Sequence, residues 1–188
     1  MMWKGAGVMR VQRVIRLVVF SSLVLAGVAA AQVAGRSPDV IYVPTPPEVV
    51  DAMLTLAKAG PNDIVYDLGS GDGRIPIAAV QKFNVKGAIG IDIDPQRIRE
   101  ANENLKLAGV GDRVRFLNQD LFTTPIGEAS VVTLYLLQSL NEKLIPKLRR
   151  ELAPGSRVVS QTFSMGTQWQ PNETIQAAGH TIYLWIIK

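Results

Sequence analysis

An aspartate followed by a glycine-rich bend, Asp67-Leu68-Gly69-Ser70-Gly71-Asp72-Gly73-Arg74, is the most unusual stretch of this 188-residue chain. Glycines at alternate positions allow positive φ and let a ligand approach the main chain closely. Two further carboxylates follow. Asp92, 23 residues after Gly69, can accept from two ribose hydroxyls. Asp120, in Gln119-Asp120-Leu121, can accept from the exocyclic amine of a purine. The spacing argues against a dinucleotide, whose Gly-x-Gly-x-x-Gly turn opens a helix N-terminus to a pyrophosphate. Here the third glycine comes one residue early, and Asp67 and Asp72 bracket the bend. Carboxylates repel a phosphate and favour a cation. A nucleoside bearing a sulfonium and an α-amino group, S-adenosylmethionine, matches that charge pattern. Each carboxylate would contribute roughly 1–2 kcal/mol through a charge-assisted hydrogen bond, net of desolvation.

These residues need a frame that brings them together, and the hydrophobic pattern supplies one. Thr45 and Glu48 stand at capping-box spacing around Pro46, which predicts a helix over 46–59 stopped by Gly60-Pro61. Short strands are expected at Ile64–Tyr66, Ala88–Ile91 and Val114–Leu117, and longer ones at Val131–Leu137, Arg157–Phe163 and Thr181–Ile187. Helices fall between them: Arg74–Phe83, a second capped by Asp94 with Pro95 at its first position, and a third carrying Leu144, Leu148 and Leu152 that Pro146 starts or kinks. Strand–helix alternation implies an α/β fold, a Rossmann-like, doubly wound and mostly parallel sheet covered on both faces. In such sheets ligands bind beyond the carboxyl ends of the strands, where strand order reverses. Asp67, Asp92 and Asp120 all sit at or just after predicted strand ends.

Charge and composition narrow the partners. The formal net charge is +4, and Lys4, Arg10, Arg13 and Arg16 account for all of it. From residue 32 onward, sixteen basic side chains face sixteen acidic ones, which argues against a nucleic-acid partner. The absence of cysteine and a single His exclude a disulfide framework, a Cys nucleophile and a multi-His metal site, so no metal is expected. After the four cations, Leu17–Ala31 is an uncharged run of 15 residues ending in three alanines. That is the layout of a signal peptide, and an uncleaved anchor formed by residues 17–35 fits it too. Residues 1–35 are therefore set apart from a domain over 36–188. The cations favour leaving that end in the cytoplasm, which would export the domain, away from where S-adenosylmethionine is made. The compartment stays open between a retained, membrane-associated anchor and export.

Taken together, the glycine bend, the acid closing the second strand and the Asp-Leu after the third resemble the class I, seven-stranded S-adenosylmethionine-dependent methyltransferases, over residues 40–188. The resemblance implies a seventh strand and an antiparallel strand at the C-terminal edge. It also implies that Asp67, Gly69 and Gly71 line the methionine moiety. Asp92 would hold the ribose and Asp120 with Leu121 the adenine, with Ser70 and Ile93 also among the cofactor-binding residues. Tyr42-Val43-Pro44-Thr45-Pro46, the extended loop from Gly69 through Arg74-Ile75, Asp120-Leu121-Phe122, and Phe163 with Trp169-x-Pro171 are similar to a narrower group. These are the mitochondrial protein-lysine methyltransferases of the ATP synthase c subunit and the ADP/ATP carrier, with their bacterial relatives. That likeness implies a protein substrate, membrane-embedded in the named cases. Ile91-Asp92-Ile93-Asp94-Pro95 departs from the group's Glu-Leu-Asn-Pro-like stretch.

The catalytic group is less legible. The fourth strand lacks the Asn/Asp-Pro-Pro-Tyr/Phe turn of enzymes that methylate adenine or glutamine, and Tyr135 is the candidate for contact with the methyl or the acceptor nitrogen. His180 reads as a turn residue, and Trp169 and Trp185 as packing or rim residues. A small-molecule acceptor on the same fold, and an exported nucleoside-binding module without catalysis, remain alternatives at this level.

Overall fold

The computed structural model describes residues 42–188, so the N-terminal signal or anchor expected over residues 1–35 lies outside the described residues. No helix among the described residues is long and apolar enough to cross a membrane. The chain runs α1 (Pro47–Leu56), β1 (Ile64–Leu68), α2 (Arg74–Phe83), β2 (Gly87–Asp92), α3 (Pro95–Ala108), β3 (Val114–Asn118), β4 (Val131–Leu134), α4 (Gln138–Glu151), β5 (Arg157–Gln161), β6 (Glu173–Ala177) and β7 (His180–Ile186).

The seven strands form one sheet in the order β3-β2-β1-β4-β5-β7-β6. The first five are parallel, and β7 pairs antiparallel with both β5 and β6. Adjacent residues on each strand serve opposite faces, as a pleated sheet requires. Val65, Val131 and Val159 pack with α1 and α2 residues such as Met53, Leu54 and Val80. Their neighbours Tyr66, Val132 and Val158 pack with Leu144, Ile145 and Leu148 of α4. Strand order reverses between β1 and β4, which places the expected crevice beyond Leu68 and Leu134. The connection between β3 and β4 carries no helix, so α4 is the helix that covers its face.

Several expectations are corrected. Thr45 does not cap α1; its hydroxyl donates to Oε1 of Gln161 at 2.7 Å, with both side chains buried, and Pro46 occupies the N-cap without a side-chain bond. The Thr45 hydroxyl thus ties the segment before α1 to the end of β5. Strand β4 stops at Leu134 rather than Leu137, because Tyr135 to Leu137 leave the sheet. Helix α4 starts well before Pro146 and runs through it. Strand β6, which no pattern announced, is an edge strand with largely exposed side chains and so lacks an apolar period. His180 opens β7, with Nδ1 3.2 Å from Nε2 of Gln161. Asp94 caps α3 as expected, accepting from the Gln96 amide at 2.8 Å.

Candidate active site

Gly69 and Gly71 have φ of 85° and 52°, conformations that L side chains rarely adopt, and they fold the chain sharply back at the end of β1. The amides of Gly69 and Ser70 both donate to the Ile91 carbonyl, at 2.8 and 3.0 Å, and that of Gly71 donates to Oδ2 of Asp92 at 2.9 Å. Three N–H groups that a phosphate would need are thereby consumed within the protein. The bend is a scaffold for carboxylates rather than an anion cradle. Gly90, in the middle of β2, lets it pack so closely: a Cβ there would lie 2.5 Å from the Phe116 ring and 2.7 Å from Cβ of Ser70. A glycine inside a strand is a sequence signal for close approach.

Beyond the bend lies a cavity of about 860 Å³. Asp67, Gly69, Ser70, Asp92, Ile93, Leu121 and Tyr135 line it, seven of the nine residues expected at the site. Gly71 is not among the lining residues, because the Tyr42 ring lies over it and would collide with any Cβ. Asp120 is not among them either. Its Oδ1 accepts from the Phe122 amide at 2.8 Å, and its carbonyl accepts from the amides of Thr123 and Thr124, so it shapes the turn that presents Leu121 and Phe122 to the cavity.

The carboxylates differ in state. Asp67 is buried and accepts from the Thr133 hydroxyl at 2.7 Å. Burial pushes its carboxyl up to about 7, helped by the charges of Asp92 and Asp72 and opposed by the Thr133 hydrogen bond. Burial also raises Asp92, against the amides of Asp94 and Gly71 that stabilise its charge. Each Asp92 oxygen takes one of these amides, Oδ1 that of Asp94 at 2.9 Å and Oδ2 that of Gly71. A carboxylate has about four acceptor sites, so capacity is left for hydroxyl donors.

Asp72 departs from expectation. Its carboxylate grips Arg74 through Nε at 2.9 Å and Nη2 at 2.6 Å. Burial would push Asp72 up, but the guanidinium outweighs it and holds the carboxyl below its ordinary value. Its charge is compensated, and Asp94, also at the cavity, caps α3 and lies 3.8 Å from Nε of Arg97, so Asp67 and Asp92 are the acids left to attract a cation. The signal was local: Arg74 stands two residues away.

Tyr42, Phe122 and Phe163, which the sequence carried only as a family likeness, also line the cavity. Tyr42 sits under the Arg97 guanidinium, 4.7 Å from ring centroid to Cζ, while Arg74 Nη1 donates to the Thr45 carbonyl at 2.9 Å. The segment before α1 is thus strapped over the bend. Phe122, Tyr135 and Phe163 add aromatic surface. Trp169 and Trp185 instead pack on each other, 6.0 Å apart, with Trp185 Nε1 donating to the Trp169 carbonyl. Thr162, just before Phe163, has φ of 65°, which for a β-branched residue costs ~1–3 kcal/mol.

The residues fit S-adenosylmethionine. Asp67, Asp72, Asp92 and Asp94 line a cavity with no main-chain amides offered from Gly69 to Gly71, and the Ser70 hydroxyl is buried there without a partner among the described residues, a polar atom that a ligand can satisfy. The parallel sheet ending in an antiparallel hairpin, with an acid and glycine bend after β1 and an acid closing β2, defines a Rossmann-like methyltransferase. Residues 67–173 match the model of the ANTKMT methyltransferase domain. The chain belongs to that family and is an S-adenosylmethionine-dependent methyltransferase. It is 49% identical over 154 residues to a protein-lysine N-methyltransferase of Saccharolobus islandicus, covering 80% of this chain and 95% of that one. It is 36% identical over 130 residues to the mouse adenine nucleotide translocase lysine N-methyltransferase, covering 69% of this chain and 56% of the mouse protein. A solved structure from Salinibacter ruber, described as an RNA methyltransferase in complex with S-adenosyl-L-homocysteine, is 51% identical with a TM-score of 0.75. It covers 77% of this chain and 94% of that one.

Proposed function

We propose that this chain methylates a lysine side chain of a protein partner. The observation that carries the reading is that one cavity is lined both by Asp67 and Asp92, from the ends of β1 and β2, and by Tyr135, Leu136, Leu137 and Phe163, from the segments that follow β4 and β5. The lysine methyltransferases of Saccharolobus islandicus and mouse support the choice of acceptor. In this reading Asp67 attracts the cationic methionine part, Asp92 accepts from the ribose hydroxyls, and Leu121, presented by the Asp120 turn, packs on the adenine. When bound, S-adenosylmethionine supplies a methyl on a sulfonium; its displacement leaves a neutral thioether, and the acceptor nitrogen gives one proton to solvent.

The protein acts mainly by alignment, which contributes ~7–11 kcal/mol in favourable cases. A lysine ammonium, of reference pKa ~10.4, must first become the free amine, and an apolar surrounding disfavours the charged form. Tyr135 and the leucines after it provide that surrounding, so no dedicated base is assigned. Attachment to a membrane through residues 17–35, with a membrane-embedded protein as acceptor, belongs to the same proposal. It is supported by the uncharged run after four cations. Sedimentation of native protein with the membrane fraction, its N-terminus intact, is the expected result there; a protein starting at Gln32 in an exported fraction would oppose it.

The Salinibacter ruber structure favours RNA as a second acceptor, whereas the net charge of zero from residue 32 onward disfavours it. Incubating the enzyme with methyl-labelled S-adenosylmethionine and cell extract separates the two. Label recovered as methyllysine after protein hydrolysis supports the proposal, and label confined to RNA or to small metabolites rejects it.

A further inference from the structure

We infer that Tyr135 and Phe163 form the wall of the acceptor channel, along which the target lysine lies as its nitrogen enters the cavity. The inference rests on the protein-lysine reading and names residues that determine its specificity. The topology divides the labour. The acids and the bend belong to the ends of β1 and β2, whereas Tyr135 leaves the end of β4 and Phe163 follows β5, on the other side of the switch point. Their rings stack with centroids 6.3 Å apart and planes inclined by 25°, a continuous aromatic surface that borders the same cavity. Such a surface suits a tetramethylene stem and an amine that must shed its charge. Its π-face also receives the methylammonium that forms.

Phe163 is held in place at a cost that packing alone does not require, since the side chain is itself only half-buried. Thr162 takes a left-handed conformation, and the Phe163 amide donates back to the Gln161 carbonyl at 2.7 Å, closing a tight turn. The Phe163 carbonyl accepts from Nδ2 of Asn141 at 3.0 Å and from the Ser160 hydroxyl at 2.7 Å. Asn141 is fully buried on α4, and its Oδ1 has no partner among the described residues. Strain and a half-satisfied buried amide persist where the surroundings over-determine a functional geometry. Here the geometry fixed is the position of the Phe163 ring against Tyr135, with Asn141 as the positioning residue.

The test uses a bisubstrate probe, S-adenosylhomocysteine carrying an N-linked lysine amide in place of the transferable methyl, titrated calorimetrically beside S-adenosylhomocysteine itself. On the wild-type chain the probe should bind at least about 10-fold tighter than S-adenosylhomocysteine. Tyr135→Ala, Phe163→Ala and Phe163→Leu should abolish most of that gain and leave S-adenosylhomocysteine affinity within about 2-fold, which also verifies folding. Phe163→Tyr should retain the gain, and Asn141→Ala should reduce it while sparing S-adenosylhomocysteine. A gain that survives Tyr135→Ala and the Phe163 variants overturns the wall and leaves the lysine reading standing. If Phe163→Ala does not fold, Phe163→Leu with Tyr135→Ala decides. No gain on the wild type, with S-adenosylhomocysteine still bound, overturns both.

Discussion

The hydroxyl of Thr133 donates to Oδ1 of Asp67 at 2.7 Å across the pair of strands, β1 and β4, that flanks the reversal of strand order. A buried carboxylate at the mouth of the cofactor cavity is thereby oriented from the neighbouring strand. Burial pushes this carboxyl up to about 7, within the range where enzymes work. A cation beside Asp67 favours the ionised form, so binding from the acid side must expel a proton. S-adenosylmethionine affinity is expected to rise by about 10-fold between pH 6 and pH 8 and then to level off. Calorimetry across that range checks it, and Asp67→Asn should flatten the profile.

Stability of the ligand-free chain should run the other way. The Asp67 pKa is raised from 3.8 to about 7 on folding, so between those values the native state keeps a proton that the unfolded state has released. Stability then falls as pH rises through that window, and the loss is complete above it. Asp67→Asn removes the penalty. Its Tm at pH 8 should exceed that of wild type by at least about 5 °C, while at pH 4 the two should unfold together. Thermal melts at both pH values test this.

Asp92 holds the bend and faces the cavity at once. Asp92→Ala should weaken S-adenosylmethionine binding by about 100-fold, because two hydroxyl partners and the anchor of the Gly71 amide are lost together. Asp92→Asn should fall between the two, since its carbonyl oxygen can keep one amide. Titration of the three proteins gives the order.

Gly90 is a packing requirement. Gly90→Ala should cost ~1–3 kcal/mol by forcing Phe116 and Ser70 aside, and should weaken cofactor binding as well, because Ser70 belongs to the bend. Denaturant unfolding followed by titration separates the two effects.

At the far end of the strap, Thr45→Val leaves the buried Gln161 carbonyl without its donor. A loss of ~1–3 kcal/mol is expected, read by denaturant unfolding. Thr45→Ser should restore it.

What could be read from the chain, and what could not, follows the range of the interactions. The acid-and-glycine bend and Asp92 were legible because each is local to a strand end, and parallel register sets Leu68 beside Ile91. The bond from Thr133 to Asp67 spans 66 residues and that from Thr45 to Gln161 spans 116, so neither leaves a local trace. Tyr135 to Leu137 extended the predicted β4 because cavity-lining and sheet-lining residues are equally apolar. The loss of Asp72 to Arg74 was readable, since a bidentate partner stood two residues away. Phe163 carried a family likeness but no chemistry until the turn at Thr162 placed its ring beside Tyr135.

Calorimetric titration of the chain with S-adenosylmethionine at pH 8 bears most directly on the assignment of the acidic cavity. Binding in about the micromolar range, with one site per chain, is the result expected. Absence of heat at millimolar concentration, or equal binding by the Asp92→Ala protein, would contradict it.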